Sequence, residues 1–341
     1  MKLNIGFLTY NLSSFKYLPA FFSSLMGAVS FLKDNYTVDV KITAVDNSVN
    51  FDGNYNYLSD YVSNSFELIK SGGNIGFAKG FNLIINRAVE ESFDIFLVIN
   101  PDVILEKDSL YKMVNFLNSK SDASSVSPVI LRWDFGKKEK SNKIDSLGIG
   151  IKPSHKFFDI GQGNYFNNYE NLPTEIFGPS GACALFKLDA LKKVAYYNGE
   201  YLEFFDELMF MYKEDIDLSY RLQLASFKSY LVKDAFIYHD RSLSSKTSLI
   251  KHVFGFKRDK SRSWSFLNQL ILNYKFSKIK FPLDIKLKFF VRNLLLFFYG
   301  FLFELRSFFA FINIKRQVKK RVNSLTVENT GLSNLLDLIK N

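Results

Sequence analysis

The first 130 residues alternate between two hydrophobic periods, and this alternation restricts the fold more than any other feature of the chain. Strand-like runs occur at "LNIGFLTY" (3–10), "VDVKITAVDN" (38–47), "FELIK" (66–70), "DIFLVIN" (94–100) and "SSVSPVIL" (124–131). Between them lie a helical stretch from about Ser14 to Lys33 and another from Phe77 to Glu91. In the second, Phe77, Phe81, Ile84, Ile85 and Ala88 are spaced to make one apolar face. Strand and helix in regular turn imply an α/β chain with a mixed, mainly parallel sheet flanked by helices on both faces. Ligands of such sheets bind outside the carboxyl ends of the strands. The residues at those ends are Thr9-Tyr10-Asn11, Asp46-Asn47-Ser48, Ser71 to Gly76, and Asn100-Pro101-Asp102. All are polar or Gly-rich, so they are expected to form one site.

Familiar nucleotide motifs are missing. "SGGNIGFAKG" holds four glycines in neither the G-x-G-x-x-G nor the G-x-x-x-x-G-K-[ST] spacing, and no Ser sits in a G-x-S-x-G elbow. The single Cys183 excludes an intramolecular disulfide and a cysteine-based zinc cluster, which fits a reducing compartment. What remains is a set of carboxylates, each with a plain reading beside a chemical one. Asp46 either turns the chain or accepts hydrogen bonds from a base or ribose. Asp102 either precedes a helix as a cap or holds a divalent cation, since hard cations take oxygen ligands. Glu214-Asp215 open a helix, where acidic residues are favoured in any case. His239 ends an alternating strand as an exposed imidazole or a metal ligand.

Residues 131–176 interrupt the alternation and read as an inserted loop or hairpin over the site. "GPSGACALF" then reads as a loop feeding a buried strand, followed by the short helix "LDALKKVA". "KEDIDLSYRLQLASF" (213–227) is an amphipathic helix with Ile216, Tyr220 and Leu224 on one side, and "KSYLVKDAFIYHD" (228–240) is a strand. Residues 1–245 are therefore expected to form one α/β domain, and 246–341 a basic, aromatic-rich helical extension.

The ordered set "LTYN", "AVDNS", "NIGFAKGFN", "LVINPD", "GPSGACALF", "KEDIDLSYRL" and "IYH" resembles the inverting family 2 glycosyltransferases of GT-A (Rossmann-like) fold, from about residue 3 to 240. Within the family it is most similar to the rhamnosyltransferase branch, which carries Asn-x-Gly-Phe-Ala, and Asn-Pro-Asp in place of Asp-x-Asp. The resemblance implies a division of labour. Asp46 contacts the nucleotide base, with Thr9, Tyr10, Asn11, Asn47, Asn74 and Gly76 lining the donor pocket and Lys79 facing it. Asn100 touches the donor. Asp102 holds Mn²⁺ or Mg²⁺ on the diphosphate, and His239 completes the metal sphere. Asp215 is the catalytic base, with Glu214 beside it. One departure stands out: Lys213 occupies the position that usually carries Gly before Glu-Asp. Rhamnose from dTDP-rhamnose is the expected donor. A UDP-hexose transferase and a non-catalytic carbohydrate-binding scaffold are the alternatives. The acceptor is expected to be a saccharide or lipid-linked saccharide in bacterial surface-polysaccharide synthesis, its recognition lying in 131–176 and around Gly178 to Cys183.

The net charge of +10 is concentrated in the tail, where Lys and Arg greatly outnumber Asp and Glu between 246 and 321. The uninterrupted apolar run Leu294 to Phe303 is shorter than the ~20 residues a membrane span requires. Two readings stay open: helices packed on the catalytic domain or in an oligomeric interface, and helices attached to an anionic membrane surface. No nucleic-acid-binding fold is recognisable. With no signal-peptide pattern at the N-terminus, the expected location is cytoplasmic, peripheral on the inner face of the plasma membrane.

Overall fold

The computed structural model describes residues 1–241, 260–324 and 329–340. Strands β1 (Lys2–Thr9), β2 (Asp39–Asp46), β3 (Phe66–Lys70) and β4 (Ile95–Ile99) run parallel in the spatial order β3-β2-β1-β4. Alternation along β1 sends Leu3, Ile5 and Phe7 to one face, where the helix Leu18–Asn35 supplies Phe21, Phe22 and Leu25. The opposite face meets Phe81, Ile84 and Ile85 of the helix Gly76–Glu90. With both faces covered, all five residues of β4 are buried, as its continuous apolar run requires.

Two sequence-based boundaries shift. The helix expected over 14–33 is two helices, Asn11–Phe15 and Leu18–Asn35, because Pro19 lacks the amide an internal turn would need and instead sits in the first turn of the second helix. A short strand β5 (Val103–Leu105) and a helix Ser109–Ser119 separate β4 from the next long strand. That strand, β6 (Ala123–Asp134), is 12 residues long and passes through Pro128. The register between β6 and its partner jumps from Pro128 to Val129, so the proline stands at a bulge, where a missing donor is tolerated.

Residues 131–176 carry the expected hairpin, more ordered than a loop. β7 (Glu139–Ser146) folds back antiparallel on β6, β8 (Ile149–Ile151) pairs with β9 (Phe157–Asp159), and β10 (Glu175–Ile176) joins the sheet edge. β11 (Cys183–Lys187) is antiparallel to both β4 and β6. β12 (Tyr196–Tyr197) and β13 (Leu202–Glu203) form a separate hairpin, and β14 (Lys228–His239) runs parallel to β6. The result is one ten-stranded mixed sheet, largely parallel.

The helix Glu214–Leu224 follows, with Ile216, Tyr220 and Leu224 on one side as expected. That side meets the helix Lys260–Phe276 through Ile271, Leu272 and Phe276, and the rings of Tyr220 and Phe276 stack at 3.8 Å. Its other side, Leu218 and Leu222, joins the core under the sheet. Lys275 is fully buried and bridges Asp206 (2.7 Å) and Asp217, while Arg221 Nε donates to Asp217 Oδ2 at 2.9 Å. The helix Lys260–Phe276 is therefore part of the packed α/β body. The boundary expected at 245/246 lies outside the described residues. Beyond Phe276, helices Leu283–Phe303 and Leu305–Ser324 meet at a bend of 117° between 303 and 305.

Candidate active site

The parallel register brings the first three strand ends level. Thr9 pairs with Asp46, and Asp46 with Lys70. Backbone amides stitch the tips together, Asn47 N–H to the Thr9 carbonyl (2.9 Å) and Ser71 N–H to the Asp46 carbonyl (3.1 Å). Asp46 is 1 % exposed, and its Oδ1 accepts from Thr9 Oγ1 (2.8 Å), Ser48 Oγ (2.6 Å) and the Ser48 amide (3.2 Å). Its Oδ2 is buried without a partner. A partnerless buried carboxylate oxygen is disfavoured by roughly 1–3 kcal/mol or more, unless a ligand donates to it.

Asn11, at φ +45°, takes the Ser48 hydroxyl oxygen on its amide and accepts from the Val49 amide on its side chain. Asn47 Nδ2 donates to the Gly76 carbonyl at 3.2 Å, which ties this corner to the helix Gly76–Glu90. Gly76 has φ +84°, and a Cβ there would lie 2.5 Å from the Phe210 carbonyl oxygen, so the position admits only glycine. The Asn74 side chain accepts from the Gly76 amide (3.0 Å) and fixes the turn. Tyr10, Asn74 and Lys79 are exposed on this rim.

The second corner is a chain of three side chains. His239 closes β14 beside β5, where His239 pairs with Val103. Its Nε2 lies 3.3 Å from Asp102 Oδ2, and its Nδ1 lies 2.8 Å from Asp145 Oδ2 on β7. Burial alone would lower the imidazole's pKa, but the two carboxylates more than reverse that and push it up to about 10. Arg241 N–H groups grip Asp145 Oδ1 (3.0 Å) and Asp159 Oδ2 (2.9 Å). Asp102 Oδ1 is buried without a partner. Asp102 and His239 thus form an ion pair, in which His239 would have to give up a proton before it could ligate a cation, and no group of three metal-ligating side chains gathers among the described residues. The remaining sites of a coordination sphere would fall to substrate and water.

The third corner joins Asn100 to Asp215. The Asn100 amide donates to the Ala182 carbonyl (3.0 Å), and the neighbouring Gly181 amide donates to Asp215 Oδ2 (3.1 Å). The Ile216 amide donates to Asp215 Oδ1 (2.8 Å). Gly178 lets the loop cross the helix, since a Cβ there would collide with Ser219. Burial raises the Asp215 pKa above the ordinary value, opposed by the two amides. Glu214 is 5 % exposed with Oε2 partnerless, and burial followed by the Asp215 charge raises its pKa much further. Lys213 has φ +68°, which explains why glycine suits this place and why a lysine here is under backbone strain. Its ammonium donates to Gln269 Oε1 (3.1 Å) of the helix Lys260–Phe276, and burial lowers its pKa to about 8.

The thirteen singled-out residues lie at the carboxyl ends of these strands, in the turns and helix starts that follow them, or at the end of β14. Ser48 is here as its place after Asp46 predicts, and Asp145 and Asn54 join without having been anticipated, Asn54 Nδ2 donating to the Asn11 carbonyl (3.0 Å) and to Ser48 Oγ (2.9 Å). Asp145 comes from the insertion, and no spacing marks it.

A sheet of this order, with its polar rim at the parallel strand ends and an acidic helix start across from them, is that of the GT-A glycosyltransferases. The structure is similar to a crystal structure of GalNAc-T7 with UDP, GalNAc and Mn²⁺ (TM-score 0.54, 9 % identity, 80 % of this chain and 48 % of that one). This chain thus spans about half the length of that relative. It is also similar to residues 1–349 of S. aureus TarS (TM-score 0.51, 13 % identity, 100 % of this chain and 89 % of that one). No curated protein matches the chain in sequence. The family model described as glycosyl transferase family 2 matches residues 7–195. The chain belongs to that family.

Proposed function

We propose that the protein is a glycosyltransferase that works with inversion and draws its sugar from a nucleotide-sugar donor, with dTDP-rhamnose the first candidate and a saccharide or lipid-linked saccharide as acceptor. One observation carries the reading: Asp46 Oδ2, Asp102 Oδ1 and Glu214 Oε2 are buried carboxylate oxygens without partners, all on one sheet edge. Asp46 offers its free oxygen to a donor on the base or ribose, and Lys79 is exposed on the same rim toward phosphate. Asp102 and His239 would hold a divalent cation, which supplies charge neutralisation to the departing diphosphate. The crystal structure of GalNAc-T7 with UDP and Mn²⁺ supports both readings by likeness of fold.

Asp215 is the base. Its two oxygens are held by amides, its side chain is only half-buried, and its raised pKa strengthens it as a proton acceptor. It takes the proton of the acceptor hydroxyl as that oxygen attacks the anomeric carbon and the carbon–phosphate oxygen bond breaks on the opposite face. A positioned base of this kind contributes on the order of 10²–10⁴-fold. Glu214, more deeply buried and with its pKa raised by that burial, is a positioning neighbour. Rhamnose rests on the resemblance through Asn74-Ile75-Gly76-Phe77-Ala78 and Asn100-Pro101-Asp102.

Calorimetric titration of dTDP-rhamnose, UDP-galactose and UDP-N-acetylglucosamine, with and without Mn²⁺, tests the assignment on wild type and Asp102→Ala. Metal-dependent binding of dTDP-rhamnose, lost in the variant, is the expected result. Preference for a UDP-sugar would replace rhamnose with a hexose. Failure of every donor to bind would favour a carbohydrate-binding scaffold.

A further inference from the structure

The helices Leu283–Phe303 and Leu305–Ser324 turn apolar side chains outward on a scale the catalytic body does not match. On the first, Leu283, Leu287, Phe290, Leu294, Phe298 and Leu302 are between 45 % and 83 % exposed, in steps of three or four residues. The opposite stripe, Ile285, Phe289 and Gly300, is buried, and Gly300 is pressed against the Phe266 ring, where a Cβ would lie 2.7 Å away. The second helix repeats the division. Ser307 and Val318 are buried and Phe311 and Ile314 pack with them, while Leu305, Phe309 and Ile312 stand outward at 40 %, 59 % and 50 % exposure. Each helix therefore has two apolar stripes, and only one is used by the protein.

We infer that the outward stripes are a lipid-insertion surface, on which the bent pair lies in the plane of an anionic bilayer. Three observations choose this occupant. First, no single helix among the described residues is long and apolar enough to cross a membrane, and the two helices reach that length and hydropathy only together, across a bend of 117° that suits a pair lying on a bilayer better than a straight span. Second, the stripes adjoin exposed Lys286, Lys288, Arg306, Lys315, Arg316 and Lys319, whereas the only acidic residues between 260 and 324 are Asp284 and Glu304. Glu304 is buried against Arg262 (3.3 Å). Third, a second copy seated on this face would bring like charges together, while anionic headgroups complement them. Apolar stripes with basic flanks are the physical description of an interfacial helix.

The inference stands independently of which sugar is moved, and its test reads lipid binding alone. The full-length protein is floated with vesicles of phosphatidylcholine and of phosphatidylcholine mixed with phosphatidylglycerol. Expected is flotation with the mixed vesicles, weakened about fivefold for each charge removed in Lys315→Gln and Lys319→Gln. Phe298→Glu with Leu302→Glu should lower the partition coefficient at least about tenfold, and both sites are exposed, so an unchanged thermal midpoint shows that the fold is intact. Two results overturn the inference. One is absence of flotation by folded wild-type protein. The other is a dimer in solution that Phe298→Glu with Leu302→Glu dissociates, with vesicle binding unchanged, which would assign the face to a second copy.

Discussion

Glu214 and Asp217 lie one turn apart on the same helix and are both buried, yet they belong to different regions. Asp217 faces the helix Lys260–Phe276, where every charge has a counterpart: Lys275 lies between Asp206 and Asp217, and Arg221 closes on Asp217. Glu214 faces the sheet edge, where its Oε2, like Asp46 Oδ2 and Asp102 Oδ1, has no partner. Burial of a carboxylate is therefore not a mark of function by itself. A closed set of partners marks a structural joint, and an open set marks a place prepared for something that arrives later.

One substitution in each region should separate them. Asp215→Asn is expected to lower kcat by about 10²–10⁴-fold while leaving the urea midpoint in place, measured with the donor that binds. A variant that lost stability and kept its turnover would erase the distinction. Lys275→Met leaves Asp206 and Asp217 buried without their cation, so unfolding free energy should drop by about 3–5 kcal/mol in urea denaturation. A loss below about 1 kcal/mol would mean that the joint is not a joint.

Asp145→Asn should weaken Mn²⁺ binding about 10–100-fold by calorimetry, since it removes the carboxylate that orients His239; unchanged affinity would detach Asp145 from the site. On pH, the sign follows from the need for an ionised base. Because burial raises the Asp215 pKa above 3.8, the acid limb of kcat/KM should fall at higher pH than an ordinary aspartate gives, and disappear in Asp215→Asn. The smallest effect is expected at Lys213→Gly, which relieves a left-handed residue at φ +68° and should raise stability by no more than about 1 kcal/mol in thermal melts.

Much of this was legible in the chain. Period-2 runs ending in Thr9, Asp46 and Asn100 fix both the strands and the edge on which they end, because a parallel sheet aligns its carboxyl ends by register. The helix Ser109–Ser119 escaped the period reading, although "SLYKMVNFLNS" places Leu110, Met113, Val114 and Leu117 on one buried face. Asp145 escaped for a different reason. Its role depends on β7 folding back along β6 until Asp145 meets His239 at the end of β14, a contact 94 residues away that no local pattern encodes. The tail illustrates the same limit. Hydropathy ranks Leu283–Phe303 as interior and Lys260–Phe276 as surface, whereas the former is largely exposed and the latter buries Asn268, Gln269, Asn273 and Lys275. Burial was decided by available partners, and Lys275 had two carboxylates waiting.

Asn268 Nδ2 donates to the backbone carbonyls of Met211 (2.9 Å) and Tyr212 (2.7 Å), directly ahead of the acidic helix start. Tyr212 and Lys213 are consecutive left-handed residues, a conformation that side-chain-bearing residues hold only under outside support. The support comes from more than fifty residues downstream. In evolutionary terms the tail is not an interchangeable cassette. A relative that acquired a different one would have to refit the turn that carries its base, and a Gly at 213 is the simplest way to make that turn self-sufficient.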